Sequence, residues 1–381
     1  MLKAYKYRLY PTKKQKGFLT LQLDGHRLLY NTALAQRKEF YEKEKKSINY
    51  SRQATGLLPK LKKENSSMAL CNYSSLQQTL RRLNKSFNAF FRRIKNGEGK
   101  AGYPRFKAAD RFNTINYASL GDGCQIKDDK LYIQNAGYIK VKWHRAIIGE
   151  VKTLSVVRRN DKWYVMFSVE IENILLPKTG KSIGIDVGLI DIISSSDKKH
   201  KRKADRFLRR SEKRVIKASQ RVSRRKKGSN RRIKARVLLA KAHEKIANQR
   251  LDSYHEITSK LVKEYDRFAV EDLNILNMVK NHRLAKSIND AAWGMLLSIL
   301  KYKAESAGRE FIKINPRNTS KTCSVCGYIN KGLRLSDREW TCPDCKTTHD
   351  RDDNAAVIIL ARTEPSVLAA KSAVPPRSRL L

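Results

Sequence analysis

Two cysteine pairs restrict what this chain can fold into more than any other feature of it. Cys323-x-x-Cys326 and Cys342-x-x-Cys345 are separated by fifteen residues. A CxxC loop turns tightly enough to aim two thiolates at one ion, and a second loop completes a tetrahedron. Gly327 after the first pair and Pro343 within the second suit such turns. The expected occupant is zinc, with an iron site or a redox pair as the alternatives. Four thiolates close the coordination sphere, so this zinc is structural and not catalytic. The other two cysteines, Cys71 and Cys124, stand alone. That usage fits metal binding in a reducing compartment better than a disulfide framework.

Charge bounds the partners. Lys plus Arg number 81 against 36 Asp plus Glu, a formal net charge of +45 over 381 residues. A chain this basic repels itself unless a polyanion covers it, because each phosphate contact releases a condensed counterion. Hydrophobic residues make up 40% of the chain, so real cores can form. At roughly 100–200 residues per domain, the length suggests two to four folded units. The apolar run Ala355–Ala361 falls far short of the roughly 20 residues that a bilayer span needs. The first residues, MLKAYKYRLYP, lack the apolar stretch of a signal peptide. Nucleic acid is therefore the expected partner, without a membrane, and the expected location is the cytoplasm.

Periodicity divides the chain. Ala4–Leu9 reads as a strand stopped by Pro11, and Thr12 starts a helix with a capping box to Gln15. Gly25 marks an expected weak point in it. A second helix is expected from Ser75, with Gln78 three residues on. Its apolar stripe is Leu76, Leu80, Leu83, Phe87, Phe90, Phe91 and Ile94, with Arg81, Arg82, Lys85, Arg92 and Arg93 between. Short strands then alternate with turns at Lys130–Ile133, Tyr138–Trp143, Val151–Arg158 and Trp163–Ile171, with a hairpin turn at Asn160-Asp161. They suggest a small barrel or sandwich. Past the linker Pro177–Lys181 the pattern turns α/β. Residues 198–236 hold twenty Lys or Arg and two acidic residues, Asp205 and Glu212, and read as a long helix pair broken at Gly228. A buried strand over Phe268–Glu271, a helix over Asp290–Ala307 and a strand over Phe311–Ile314 follow.

A polyanion-binding protein should keep carboxylates from its site unless metal neutralises them. Three acidic residues sit where α/β architecture would gather them: Asp186 after Ile183–Ile185, Glu271 ending a strand, and Asp352 where a helix begins. Hard carboxylate oxygens bind Mg²⁺, and two such ions can activate water and stabilise the leaving oxygen of a phosphodiester. A lone Asp after a strand is more often a cap, and Asp350 and Asp353 compete for the third position.

Many short segments together resemble TnpB, the guide-RNA-dependent nuclease family of bacterial insertion sequences, related to type V CRISPR effectors. They run from Lys3–Thr12 and YNTAL (Tyr30–Leu34) through Leu76–Ile94 and GYPRF (Gly102–Phe106). GIDVG (Gly184–Gly188), FAVEDLNI (Phe268–Ile275), SINDAAWG (Ser287–Gly294), the cysteine pairs and HDRDDNAA (His349–Ala356) complete them. Asn72–Ser75 departs from the family wording.

The resemblance implies a multidomain α+β protein: a β-barrel wedge domain, a helical recognition lobe, and an RNase H-like (RuvC) α/β nuclease domain with an inserted four-cysteine zinc module. The implied division is a first wedge strand at 1–11, the recognition lobe at 12–102 and the wedge barrel at 103–178. The nuclease follows at 179–315 with a basic helical insert at 198–250, then the zinc module for target nucleic acid at 316–348. The nuclease ends at 349–363, before a flexible tail at 364–381. It also implies an RNA-guided DNA endonuclease with catalytic and Mg²⁺-binding residues Asp186, Glu271 and Asp352, two Mg²⁺ ions and one structural Zn²⁺. Expected partners are a transposon-derived noncoding guide RNA and double-stranded target DNA, with a monomer carrying one RNA. Tyr50 and Gln77 are candidates for reading a short flanking DNA motif, Arg81 for nucleic-acid contact from the basic helix face, and Arg224, Arg225, Lys226 and Lys227 for nucleic-acid phosphate. The alternatives are an RNA-guided regulator without cleavage, a transposase acting without a guide, and a zinc-ribbon RNA-binding protein.

Overall fold

The computed structural model describes residues 1–97, 99, 101–173, 175–334 and 336–363. The tail expected at 364–381 lies outside them. The chain divides into two compact units, one over Met1–Glu172 and one from Asn173 onward.

The first unit joins a helical layer to an antiparallel sheet. Strand β1 (Leu2–Tyr10) buries Tyr5, Tyr7 and Leu9 at every second position, the period of a half-covered strand. It lies between β5 (Gly137–Lys142) and β7 (Lys162–Glu170). With β2 (Thr114–Tyr117), β3 (Cys124–Lys127), β4 (Lys130–Ile133) and β6 (Glu150–Arg159), the sheet order is β2-β6-β7-β1-β5-β4-β3. The sheet is nearly closed, with the short strands β2 and β3 as its edges. Asn160 and Asp161, at φ 49° and 61°, make the β6–β7 hairpin turn.

Helix α1 (Lys13–Glu44) begins at the Thr12–Gln15 capping box. It runs straight through Gly25, where the sequence suggested a weak point. A Cβ there would meet the Ser67 carbonyl oxygen at 2.8 Å and Cys71 Sγ at 3.1 Å. Gly25 therefore serves close packing, not a break. Short helical turns α2 (Tyr50–Arg52), Gln53–Leu57, α3 (Leu58–Glu64) and α4 (Ser66–Ala69) precede α5 (Tyr73–Lys95). Helix α5 starts two residues before the expected Ser75, because the Asn72 carboxamide caps it by accepting from Ser75 N–H at 2.9 Å. Leu76, Leu80, Leu83 and Phe87 are buried, but Phe91 and Ile94 at the far end are half exposed. Helices and sheet share one continuous core.

The second unit is built on a five-stranded sheet of order β10-β9-β8-β11-β12. Strands β8 (Ser182–Asp186), β11 (Arg267–Glu271) and β12 (Glu310–Ile314) are parallel; β9 (Asp191–Ser195) and β10 (Arg202–Lys203) are antiparallel. Helices α7 (Asn230–Glu264) and α10 (Trp293–Ser306) pack on one face, against Ile183, Ile185, Phe268 and Val270. Helix α11 (Arg351–Ala361) covers the other, where Ile359 meets Ala269 and Ile314.

The basic stretch forms α6 (Phe207–Ser223) and α7, with Arg224–Lys227 in the turn between them. Helix α6 has no cap of its own. The buried Asp290 carboxylate supplies one, accepting from Leu208 and Arg209 N–H at 2.9 and 3.1 Å while pairing with Arg250 at 2.9 Å. The helix expected over Asp290–Ala307 is therefore two. After the short turn α8 (Ile275–Met278), α9 (His282–Ala291) ends and Ala292 turns left-handed at φ 47° before α10. That break sends Asp290 to α6 and Trp293 to the Gly188 carbonyl, which its ring N–H reaches at 3.0 Å. No glycine or proline marks it.

Gly184 fixes the seat of α11. A Cβ there would lie 2.1 Å from the Ala356 carbonyl oxygen. Gly184→Ala should therefore cost about 1–3 kcal/mol through overpacking against backbone. Gly17→Ala, in open space on α1, should stabilise by about 0.5–1 kcal/mol. Urea unfolding of both variants checks the pair of signs.

Candidate active site and cysteine cluster

The strand register brings the first two acids together. Ile185 pairs with Val270 on the parallel neighbours β8 and β11, so Asp186 and Glu271 follow side by side at the carboxyl ends. Both lie two residues beyond Gly184 and Ala269, and therefore on the face that α11 covers. Helix α11 crosses Gly184 at Ala356. One turn back along the helix is about 6 Å, and two residues forward along the strand is about 6.6 Å. The helix thus runs antiparallel to β8 and carries Asp352 toward Asp186. Gly188, in the turn after β8, also approaches it, since a Cβ there would lie 3.9 Å from Asp352 Oδ2.

The charges respond to this crowding. Burial, with the nearby Glu271 and Asp352 carboxylates, pushes the Asp186 carboxyl up to about 8 although Asp186 keeps some solvent access. Burial also raises Glu271, against the Thr319 hydroxyl, which donates to its Oε1. Asp352 is held by two guanidinium groups: Arg338 Nη1 lies 3.1 Å from Oδ2, and Arg351 Nη2 lies 3.1 Å from Oδ1. Its competitors have other work. Asp350 caps α11, its Oδ1 accepting from the Asp352 and Asp353 N–H groups at 3.0 Å each. Lys201 then binds Asp350 Oδ2 at 2.9 Å and Asp353 Oδ1 at 3.0 Å.

Among the described residues, the four cysteines form the one set of three or more potential metal ligands closing within 4.8 Å of one another. The three carboxylates are set wider. A single Mg²⁺ needs tighter donors, but two ions about 4 Å apart, each about 2.1 Å from its oxygens, span about 8 Å. Cations bound at the acidic set would compete with the Arg338 and Arg351 contacts to Asp352.

The cysteine cluster fits zinc closely. Tetrahedral Zn–S bonds of about 2.3 Å put sulfurs about 3.8 Å apart. Here Cys323 and Cys345 Sγ are 3.6 Å apart, and Cys326 and Cys342 Sγ 3.5 Å. Contacts with the Thr347 hydroxyl and backbone draw Cys345 down to about 6. Sequence reasoning missed His349, whose Nε2 lies 3.1 Å from Cys323 Sγ. It pairs with Trp340 across β13 (Glu339–Thr341) and β14 (Thr348–Asp350). It also missed Thr319, which reaches Glu271 from before the first knuckle; Arg338, which reaches Asp352 from beyond it, reads in the sequence only as a phosphate contact or a solvating residue. Nothing in their spacing distinguishes them from surface residues.

The proposed nucleic-acid residues are dispersed. Tyr50 is half-buried in α2, with the Arg81 guanidinium 5.3 Å from its ring centre. Gln77 is half-buried on α5. Arg224, Arg225, Lys226 and Lys227 are exposed in the α6–α7 turn, not on a helix face. No helix among the described residues is long and apolar enough to cross a membrane.

Known proteins share this arrangement of sequence. Residues 166–282 match a family described as "Probable transposase". Residues 293–359 match one described as "Cas12f1-like, TNB domain". Residues 1–46 match one described as "Helix-turn-helix domain", although they form β1 and the single helix α1 here. A Streptomyces pristinaespiralis protein named as a candidate RNA-guided DNA endonuclease is 35% identical, covering 94% of this chain and 89% of its own. The chain belongs to the TnpB family. InsQ of Escherichia coli K12, another TnpB relative named as a candidate RNA-guided DNA endonuclease, is 27% identical over 94% of this chain and 92% of its own. The solved mini-RNA-guided endonuclease CRISPR-Cas_phi3 covers 95% of this chain and 92% of its own at 10% identity and a TM-score of 0.47. That likeness is too loose to carry residues across.

Two measurements test the site's chemistry. Zinc released by thiol oxidation should reach one ion per chain, and Cys342→Ser should lose it and lower the melting temperature. The second concerns pH. The fold favours the acid form of Asp186, so this contribution to stability is full below the ordinary value of 3.8 and is lost as pH rises through about 8. In magnesium-free buffer the melting temperature should fall from pH 6 to pH 9, and Asp186→Asn should flatten that fall.

Proposed function

We propose that this chain is an RNA-guided DNA endonuclease whose nuclease centre is Asp186, Glu271 and Asp352 on an RNase H-like, RuvC-type sheet. The observation that carries this is the convergence of three acids from β8, β11 and the first turn of α11 on one sheet face. The sheet order, three parallel strands with an antiparallel flank, supports the RNase H-like reading. Magnesium ions would supply an activated water and charge stabilisation for phosphodiester hydrolysis. Asp186, Glu271 and Asp352 would hold them, and Asp186 must give up its proton to do so. Thr319 orients Glu271 by donating to it. Arg338 and Arg351 balance the Asp352 charge, and bound metal would compete with them for its oxygens.

The remaining assignments follow the family pattern. The nearly closed sheet serves as the wedge and the segment 12–102 as the recognition lobe, with Tyr50 and Gln77 toward the flanking DNA motif and Arg81 toward nucleic acid. The 316–348 module holds structural zinc beside the carboxylates. Exposed Arg224–Lys227 meet guide or target phosphate. We assign one chain per guide RNA, acting on double-stranded DNA at the nucleoid.

One observation favours a second reading, RNA-guided binding without cleavage: both Asp352 oxygens are engaged by arginine. Incubating the ribonucleoprotein with a matched plasmid, a mismatched plasmid and graded Mg²⁺ separates the two. Linear product from the matched plasmid with RNA and Mg²⁺ supports the nuclease; stable binding without product supports the regulator. Asp186→Asn should slow cleavage by about three orders of magnitude while sparing RNA affinity, as expected for removal of several kcal/mol of metal-mediated stabilisation. Asp353→Asn should stay within about tenfold of wild type, because its partner is Lys201 and not the proposed metals.

A further inference from the structure

The end of α5 and the GYPRF segment expose aromatic rings that the core does not use. Phe91, Tyr103 and Phe106 are 50%, 39% and 52% exposed. They belong to one cluster. Phe90 lies 5.3 Å from Phe91 and 5.2 Å from Tyr103 between ring centres. The exposed Lys38 ammonium then lies 6.0 Å from the Tyr103 ring and 5.5 Å from the Phe106 ring. Beneath the rings the buried Arg37 guanidinium sits 4.9 Å from Phe87 and hydrogen-bonds amide oxygens of Gln53 and Asn84. Arg92, Arg93 and Arg105, neighbours in the chain of Phe91 and Phe106, are exposed.

We infer that this patch is a stacking platform for unpaired nucleotides of RNA. Half-exposed aromatic rings with an ammonium against two of them and exposed arginines next in the chain match what a single strand offers: flat bases on a phosphate chain. An RNA duplex hides its base faces within the stack, so the platform takes loops, bulges or ends. An apolar protein partner would match the rings but would gain nothing from the neighbouring cations. The inference rests on the guide-RNA reading above and adds to it a subsite outside the carboxylates and the cysteine cluster.

The test uses the full chain, a 12-nucleotide single-stranded RNA carrying 2-aminopurine, and a blunt RNA duplex of the same length. Phe91→Ala and Phe106→Ala should each weaken single-strand binding roughly tenfold and reduce 2-aminopurine quenching, without changing the salt dependence. Duplex affinity should not move. Phe106→Trp should preserve binding, and melting curves should show each variant folded. Arg105→Gln should instead lower the salt slope by about one for either probe. Unchanged single-strand affinity in the alanine variants, or equal loss for strand and duplex, would overturn the platform. Asp186→Asn must bind the probe normally. If that variant still cuts a matched plasmid, the nuclease reading falls while the platform is judged on the binding data alone.

Discussion

Three carboxylates crowd one end of the β8–β11 pair, and the surrounding structure holds them there against their own repulsion. Parallel register sets Asp186 beside Glu271 with no choice of spacing. Gly184 lets α11 sit on β8 and so delivers Asp352. The cost appears in the proton balance: burial and two neighbouring acids leave Asp186 protonated near neutrality. Cations answer the rest. Arg338 and Arg351 hold Asp352, and Lys201 holds Asp350 with Asp353. In a chain of net charge +45, the proposed use of this cluster is to hold divalent metal against a phosphate.

The cysteine module is tied to that centre through the chain. Thr319 reaches Glu271 from the segment before the first knuckle, and Arg338 reaches Asp352 from just before the strand that leads to the second. The Arg351 N–H donates back to the Arg338 carbonyl at 2.7 Å. The segments on either side of the four-cysteine loops therefore carry the hydrogen bonds that reach two of the three acids.

Much of this was legible in the sequence, and the failures have physical causes. Period-2 alternation found β4–β7, and buried apolar runs found β8, β11 and β12. The Thr12–Gln15 capping box set the start of α1. Strand β3 was missed because one buried residue in four gives no alternation, and β2 went unread although β4, no longer than it, was found. The small residues carried the most error. Gly25 suggested a weak helix, whereas a neighbouring backbone carbonyl needs its missing Cβ. Ala292 gave no sign of the left-handed turn that splits α9 from α10, since its reason is tertiary: Asp290 caps α6 and Trp293 binds Gly188. The acidic trio was nameable from its place at element ends, and the family resemblance gave Asp352 as its third member; the structure adds that Asp350 caps α11 and that Lys201 holds Asp350 and Asp353. Thr319 and His349 were invisible, because no local pattern marks a side chain that acts across the fold.

The central claim is that these carboxylates hold divalent metal. Anomalous diffraction from crystals of the guide-loaded complex grown with Mn²⁺ tests it directly. Manganese peaks bonded to Asp186, Glu271 and Asp352, with Arg338 and Arg351 turned off Asp352, are the result the account predicts. An intact arginine–Asp352 pair with no manganese at these three side chains would contradict it.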